Sequence, residues 1–154
     1  MNTRYYNTSI RNLSYRLRKF KDSLDDMLEG IIREKEDIII SAVVDDQLFR
    51  RGVNGKDVKI WSYAPYAKST IKAKKKKGQP TTRVTLRDTG DFHKSVYLVY
   101  GGNGFYLTSQ DEKAKDLREK YGDEIFRLTN KNLTRILNVH IKKELIKRLR
   151  QQLR

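Results

Sequence analysis

Along the first part of the chain the apolar residues fall at Ile10, Leu13, Leu17, Phe20, Leu24, Met27 and Ile31. Steps of three and four in strict alternation place them on one stripe of a long helix. The mean step is close to 3.5, so the stripe suits a helix-helix seam as well as a globular core, and these residues form a candidate assembly seam. Gly30 weakens this helix without ending it, because an interior glycine costs about 1 kcal/mol relative to alanine. A second helical run follows from Ile31 to about Phe49. Its block DIIISAVV also fits a buried strand, but charged residues on both sides at helical spacing favour helix.

Between Arg51 and Gln79 the periodicity lapses. Gly52, Asn54-Gly55, Pro65 and Gly78 punctuate a basic segment that holds Trp61, Tyr63 and Tyr66, read as a loop with a short helix after Pro65. Residues 95–100 (SVYLVY) and 104–109 (GFYLTS) are rich in β-branched and aromatic types, and Gly101-Gly102-Asn103 between them is a hairpin turn. Residues 82–87 (TRVTLR) alternate polar and apolar and offer a third strand. A short helix is expected around Asp111 to Tyr121. A longer one runs from Asn130 to about Leu153, with Leu133, Ile136, Leu137, Ile141, Leu145, Leu149 and Leu153 on one face. The pattern predicts an α+β fold: long N-terminal helices and a C-terminal helix packed on a small antiparallel sheet. One domain is expected, divided into a helical arm (1–50), a basic loop region (51–80), a turn and hairpin core (81–110) and a C-terminal helical region (111–154).

Composition narrows the function classes. With 154 residues the chain is one domain's worth, and a charged fraction of 34% against a hydrophobic fraction of 37% favours a scaffold or binder over a compact enzyme. Cysteine is absent, which excludes disulfide frameworks, thiolate nucleophiles and cysteine-based zinc sites, and suits assembly in a reducing cytoplasm. No apolar run approaches a bilayer span and the N-terminus lacks a signal-peptide core, so a soluble, uncleaved protein without a membrane partner is expected. The formal net charge of +15 implies an anionic partner.

Asp88-Thr89-Gly90 is the triplet of aspartic proteases, enzymes in which two carboxylates share one proton; a chain with one such triplet would have to act as a homodimer. Its neighbours argue otherwise. Arg87 would depress the pKa that such a dyad must raise, and Asp91 would crowd it. The triplet reads instead as a structural turn over Asp88, Thr89, Gly90, Asp91 and Phe92: a side chain accepts backbone N–H bonds, Gly90 takes the unusual φ, and a helical turn starts toward Ser95. His93 and His140 lie in different segments, and Asp88, Asp91 and His93 make a weak hard-metal pattern, so neither metal nor cofactor is expected. The sequence has no phosphate-cradling loop and no nucleophile or zinc-protease motif, and no catalytic residue is assigned.

Lys72, Lys74, Lys75, Lys76 and Lys77, with Arg83, Arg87 and Lys94, form a candidate contact for DNA or an acidic partner. Trp61, Tyr63 and Tyr66 just upstream match the stacking platforms of single-strand binders. A second basic cluster, Lys142, Lys143, Lys147, Arg148, Arg150 and Arg154, reads as the solvated side of the last helix or a docking tail.

The order WSYAPYAKST (61–70), a lysine-rich loop, VTLRDTGDFHKSV (84–96) and a hairpin resembles the neck and tail-completion proteins of tailed bacteriophages, including the virion morphogenesis group. Leu86, Thr89, Gly90, Phe92, Ser95 and Val96 match that family's second element, and the likeness covers residues 60 to 110. The resemblance implies a non-enzymatic subunit that forms a ring of six or twelve copies at the head-tail junction of the virion. Portal and tail proteins would be its neighbours, and double-stranded DNA would pass through it. The alternative from charge alone is a stand-alone nucleic-acid-binding protein.

Overall fold

In a computed structural model, the protein is described over residues 3–101 and 104–152, with side chains described over 10–101 and 104–151. Gly102 and Asn103 of the expected hairpin turn, together with Leu153 and Arg154, lie outside them. The fold is α+β, mostly helical with one small antiparallel sheet. Helix α1 (Thr3–Glu34) runs for 32 residues through Gly30. At about 1.5 Å per residue this is a rod close to 50 Å long. Lys35 breaks its geometry, and α2 (Glu36–Ser41) continues into a wide π-helical segment, Ala42–Arg51. DIIISAVV is therefore helix, and its wide turns keep Ala42, Val43, Val44, Gln47 and Leu48 inside.

Gly52 ends this run with φ of 64°, and its N–H and that of Val53 both donate to the carbonyl of Gln47. A side chain here would be strained, and its Cβ would also lie 2.9 Å from Cβ of Arg83. The chain then crosses a short 3-10 turn (Ile60–Ser62), helix α3 (Lys68–Lys76) and a four-residue turn of helix, α4 (Asp91–Lys94). Strands β1 (Val96–Gly101) and β2 (Gly104–Ser109) pair antiparallel, with Val96 opposite Ser109 and Gly101 opposite Gly104. Helix α5 (Ala114–Tyr121), a 3-10 turn (Asp123–Phe126), α6 (Asn130–Ile136), a second π segment (Leu137–Ile141) and α7 (Lys142–Gln152) complete the chain.

The third strand expected over residues 82–87 does not form; the sheet has two strands among the described residues. Leu86 has φ of 52°, which no strand tolerates, and the N–H of Thr85 donates to the hydroxyl of Tyr66 (2.8 Å) instead of a neighbouring strand. Val84 and Thr85 are fully buried, so the alternation reflects a segment threaded through the core.

Ile31, Ile39, Val43, Leu48, Ile60, Val84 and Ile125 are the most deeply buried part of the core, joined by Leu98, Leu107, Phe126, Ile136 and Ile141. A buried polar link crosses it. Gln47 donates to the carbonyl of Arg127 (2.9 Å) and accepts from the N–H of Thr129 (2.8 Å), while the amide of Asn132 donates to the carbonyl of Ala42 (3.1 Å). Thr129 in turn caps α6 by accepting from the N–H of Asn132. The outer edge of β1 is closed by Glu36, whose carboxylate accepts from the N–H of Leu98 and the hydroxyl of Tyr100 (both 3.1 Å). Burial and then this carboxylate push the Tyr100 phenol up to about 12.

The stripe of α1 divides. Ile31 is fully buried and Leu24 and Met27 are half-buried, but Ile10, Leu13, Leu17 and Phe20 are 52–61% exposed. On the C-terminal helices Ile136 and Ile141 face the core, while Leu133 and Leu137 lie at its exposed margin. Arg148 ties α7 back to α1 through Glu34 (2.6 Å).

Candidate nucleic-acid interface

Helix α3 sorts its lysines by its own period. Position 74 points inward: Lys74 is 5% exposed, and its ammonium donates to Oε1 of Gln79 (2.9 Å) and to the carbonyl of Arg87, 5.1 Å from the centre of the Tyr66 ring. An enclosed ammonium bound to carbonyl oxygens cannot also meet a phosphate, so Lys74 is corrected from contact residue to internal clamp. Lys77 pairs with Oδ1 of Asp88 (2.5 Å), and the Gln79 amide donates to the Asp88 carbonyl (2.6 Å). The end of the lysine run thus holds the Asp88-Thr89-Gly90 turn in place.

Lys72, Lys75 and Lys76 are exposed and form no ion pair with a described residue; Lys94 is likewise exposed on α4. Arg83 and Arg87 flank Phe49: the Arg83 side chain donates to the Phe49 carbonyl (2.7 Å), and the Arg87 guanidinium lies 4.8 Å from the ring centre. Arg87 is exposed and can still present its charge, whereas Arg83 is half-buried. Of the expected contact residues, Lys72, Lys75 and Lys76 on α3 remain exposed without an ion pair among the described residues, while Arg87 and Lys94 line a separate recess with Asp37 and Asp45. In the second basic cluster Lys142, Lys143 and Arg150 are exposed, Lys147 pairs with Glu144, and Arg148 is committed to Glu34 and Glu144.

The aromatics do not form a stacking platform. Tyr66 is buried, with its hydroxyl bonded to the backbone of Thr85 and its ring edge-on to Trp61 at 6.0 Å. Tyr63 exposes one face but spends its hydroxyl on the carbonyl of Tyr121 (3.0 Å).

At the turn itself, Gly90 has φ of 101°, Asp91 starts α4, and the Thr89 hydroxyl bonds the Asp91 carboxylate. The ammonium of Lys77 holds Asp88 below the usual carboxylate range, the opposite of what a proton-sharing dyad needs. Leu86, Phe92 and Val96, the apolar members of the element, are buried, and Phe92 meets Phe126 edge-on at 5.8 Å. The Ser95 hydroxyl donates to the Phe92 carbonyl (2.9 Å) and lies 2.6 Å from the hydroxyl of Ser109, joining α4 to the hairpin.

His93 is buried between Phe49 and Phe92. Its Nε2 lies 2.9 Å from the carbonyl of Thr85, so that nitrogen carries the proton and donates. Burial lowers its pKa, and the Arg87 charge adds to the effect. With Asp88 held by Lys77 and His93 turned inward, Asp88, Asp91 and His93 do not converge, and no group of three or more His, Asp or Glu side chains could hold a metal among the described residues. None of the described helices is long and apolar enough to cross a membrane.

Sequence reasoning did not foresee an apolar groove of about 730 Å³ between α1, the hairpin and the C-terminal helices. Leu28, Ile32, Tyr100, Phe105, Leu133 and Leu137 line it, with the charged residues Lys21, Asp25, Asp26, Glu29 and Arg33 beside them. The signal lay in the C-terminal stripe, which carries more leucine and isoleucine than one buried face needs.

Compared with protein-family models, with curated proteins and with solved structures, the chain matches none.

Proposed function

We propose that the protein is a non-enzymatic structural component of a tailed-phage virion, a ring-forming connector or tail-completion subunit at the portal-tail junction. The observation that carries this reading is the half of α1 from Ile10 to Phe20, an apolar helix face presented to solvent at the end of a rod rooted in a compact body. Large apolar faces on a soluble protein mark interaction surfaces, and a rod with such a face suits a subunit completed by its neighbours. Support also comes from the Leu86-to-Val96 element, whose apolar residues form a packed corner around a sharp bend, as the likeness to the neck proteins implies. Repeating a chain of net charge +15 around a ring would build a channel attractive to DNA or a rim matched to acidic portal and tail proteins. Negative-stain imaging of the purified protein and of particles tests it. Rings, or density at the neck, are expected; a protein that stays monomeric and is absent from virions overturns the reading.

A second reading, a stand-alone nucleic-acid binder, is favoured by the exposed cations Lys72, Lys75 and Lys76 on one short helix, which form no ion pair among the described residues. It requires affinity for duplex DNA at low salt that falls steeply as salt rises. Absence of binding at low salt ends it.

A further inference from the structure

We propose that the exposed half of α1 inserts into the groove between α1, the hairpin and α6 of a second copy of this chain. Each copy then gives one arm and receives one.

Shape comes first. The arm presents Ile10, Leu13, Leu17 and Phe20 as one apolar line, all more than half exposed. The groove presents Leu28, Ile32, Phe105, Leu133 and Leu137, with Leu133 and Leu137 38% and 47% exposed. An amphipathic helix laid into an apolar groove, anchored at three- and four-residue steps, is a recurring mode of protein recognition. The arm cannot fill its own groove. It is the uninterrupted continuation of the helix whose Leu28 and Ile32 line that groove, and a continuous helix cannot fold back on itself.

Charge then favours a second copy as the occupant. From residue 1 to residue 21 the chain carries Arg4, Arg11, Arg16, Arg18, Lys19 and Lys21 and no acidic residue. The groove lining carries three acidic residues, Asp25, Asp26 and Glu29, beside two basic ones, Lys21 and Arg33. Asp25 and Glu29 already face Lys21 and Arg33 of their own helix, while Asp26 has no ion pair among the described residues. A helical rotation of 100° per residue sets Arg16 beside the apolar line, where it would face these charges as the line enters the groove. An arm of the same chain thus matches the groove in its apolar line and brings a basic face to Asp26, the acidic lining residue without an ion pair among the described residues.

The contact joins two different surfaces, so it is heterologous: it closes into a ring or extends as a filament according to the rotation between copies. It builds on the ring reading only in supposing that copies associate, and it stands for an assembling protein outside any virion.

The test uses the full chain and sedimentation or mass photometry across a concentration series. Wild type is expected to assemble. The arm variant L17E/F20E and the groove variant L133E/L137E, both at exposed positions, are expected to stay monomeric with wild-type helical circular dichroism. If a charged pair melts the fold, the corresponding alanine pair replaces it, with weakened assembly as the expected result. Mixing the two variants is expected to restore a 1:1 heterodimer, because one intact arm meets one intact groove. A groove variant that still assembles points to arm-arm pairing and overturns the proposal, as does a mixture that stays monomeric. Wild type that stays monomeric throughout leaves the groove to a different protein and also overturns it. Assembly and complementation by a protein absent from virions would instead count against the head-tail reading alone.

Discussion

Between Leu24 and Ile31, α1 is held against the body by its apolar side chains; between Ile10 and Phe20 the same repeat meets only solvent. The sequence step does not change between the two halves, so the helical period alone carries no information about which half is covered. What differs is the company. The root lies beside α2, the hairpin and α7, while the arm extends past the last element that could cover it. Helix α3 repeats the lesson with charge, since Lys74 is enclosed and Lys72 and Lys76 are exposed within one short run of lysines.

The widest gap between the two halves of α1 is expected in stability. Ile31→Ala should cost about 2–5 kcal/mol, as for a fully buried aliphatic truncated in a packed core, whereas Leu17→Ala should stay within about 0.5 kcal/mol. Urea denaturation at a dilution where copies are dissociated measures both, and equal losses would mean that the arm is covered within its own chain. Next in size is the polar link behind the root. Gln47→Leu leaves the buried N–H of Thr129 without its acceptor and should cost about 1–3 kcal/mol.

On α3, Lys74→Met strips the carbonyl of Arg87 and Oε1 of Gln79 of their donor, and a loss of about 1–2 kcal/mol is expected from the broken clamp. Lys76→Met should leave stability within about 0.5 kcal/mol. If the protein binds DNA, Lys76→Met should lower the salt slope by roughly one, and Lys74→Met should affect binding only through folding. A direct drop in salt slope for Lys74→Met would return that residue to the interface.

The smallest effect belongs to His93. Its folded pKa is lowered from the ordinary 6.5 chiefly by burial, so the unfolded chain takes up a proton first as the solution is acidified. Stability should be level above that pH and decline below it until the folded ring also protonates, at no more than about 1.4 kcal/mol per pH unit. His93→Gln, which keeps a donor for the Thr85 carbonyl, should remove this slope; an unchanged acid limb would assign it to other groups.

Element types were largely legible because they follow from local periodicity and turn chemistry: the long first helix, the hairpin, the bend at Gly90 and the last helices are all where the pattern puts them. Residues 82–87 misled because alternation reports burial on one side, and a threaded core segment buries Val84 as a strand does. The basic patch was legible as charge but not as geometry. Whether a lysine faces a phosphate or a carbonyl depends on Gln79 and Arg87, which only the fold brings to Lys74. Tyr66 is withdrawn from any stacking platform for the same reason, since its partner Thr85 lies well downstream, and Trp61 meets Tyr66 edge-on. Glu36 at the β1 edge had no local sign at all, being set by a contact 62 positions away.

Asn132 reaches back 90 positions to the carbonyl of Ala42, and Thr129 reaches back 82 to Gln47. During synthesis the first half of the chain therefore leaves the ribosome with these partners still unmade. Helix α1 can form early, because its hydrogen bonds are local, but the polar links of Gln47 and Ala42 beneath it cannot form until Thr129 and Asn132 are out. The groove, whose wall includes Leu133 and Leu137, is completed by those same late residues. Each chain would therefore become able to receive a neighbour only once residues 133–141 had been made, long after its arm.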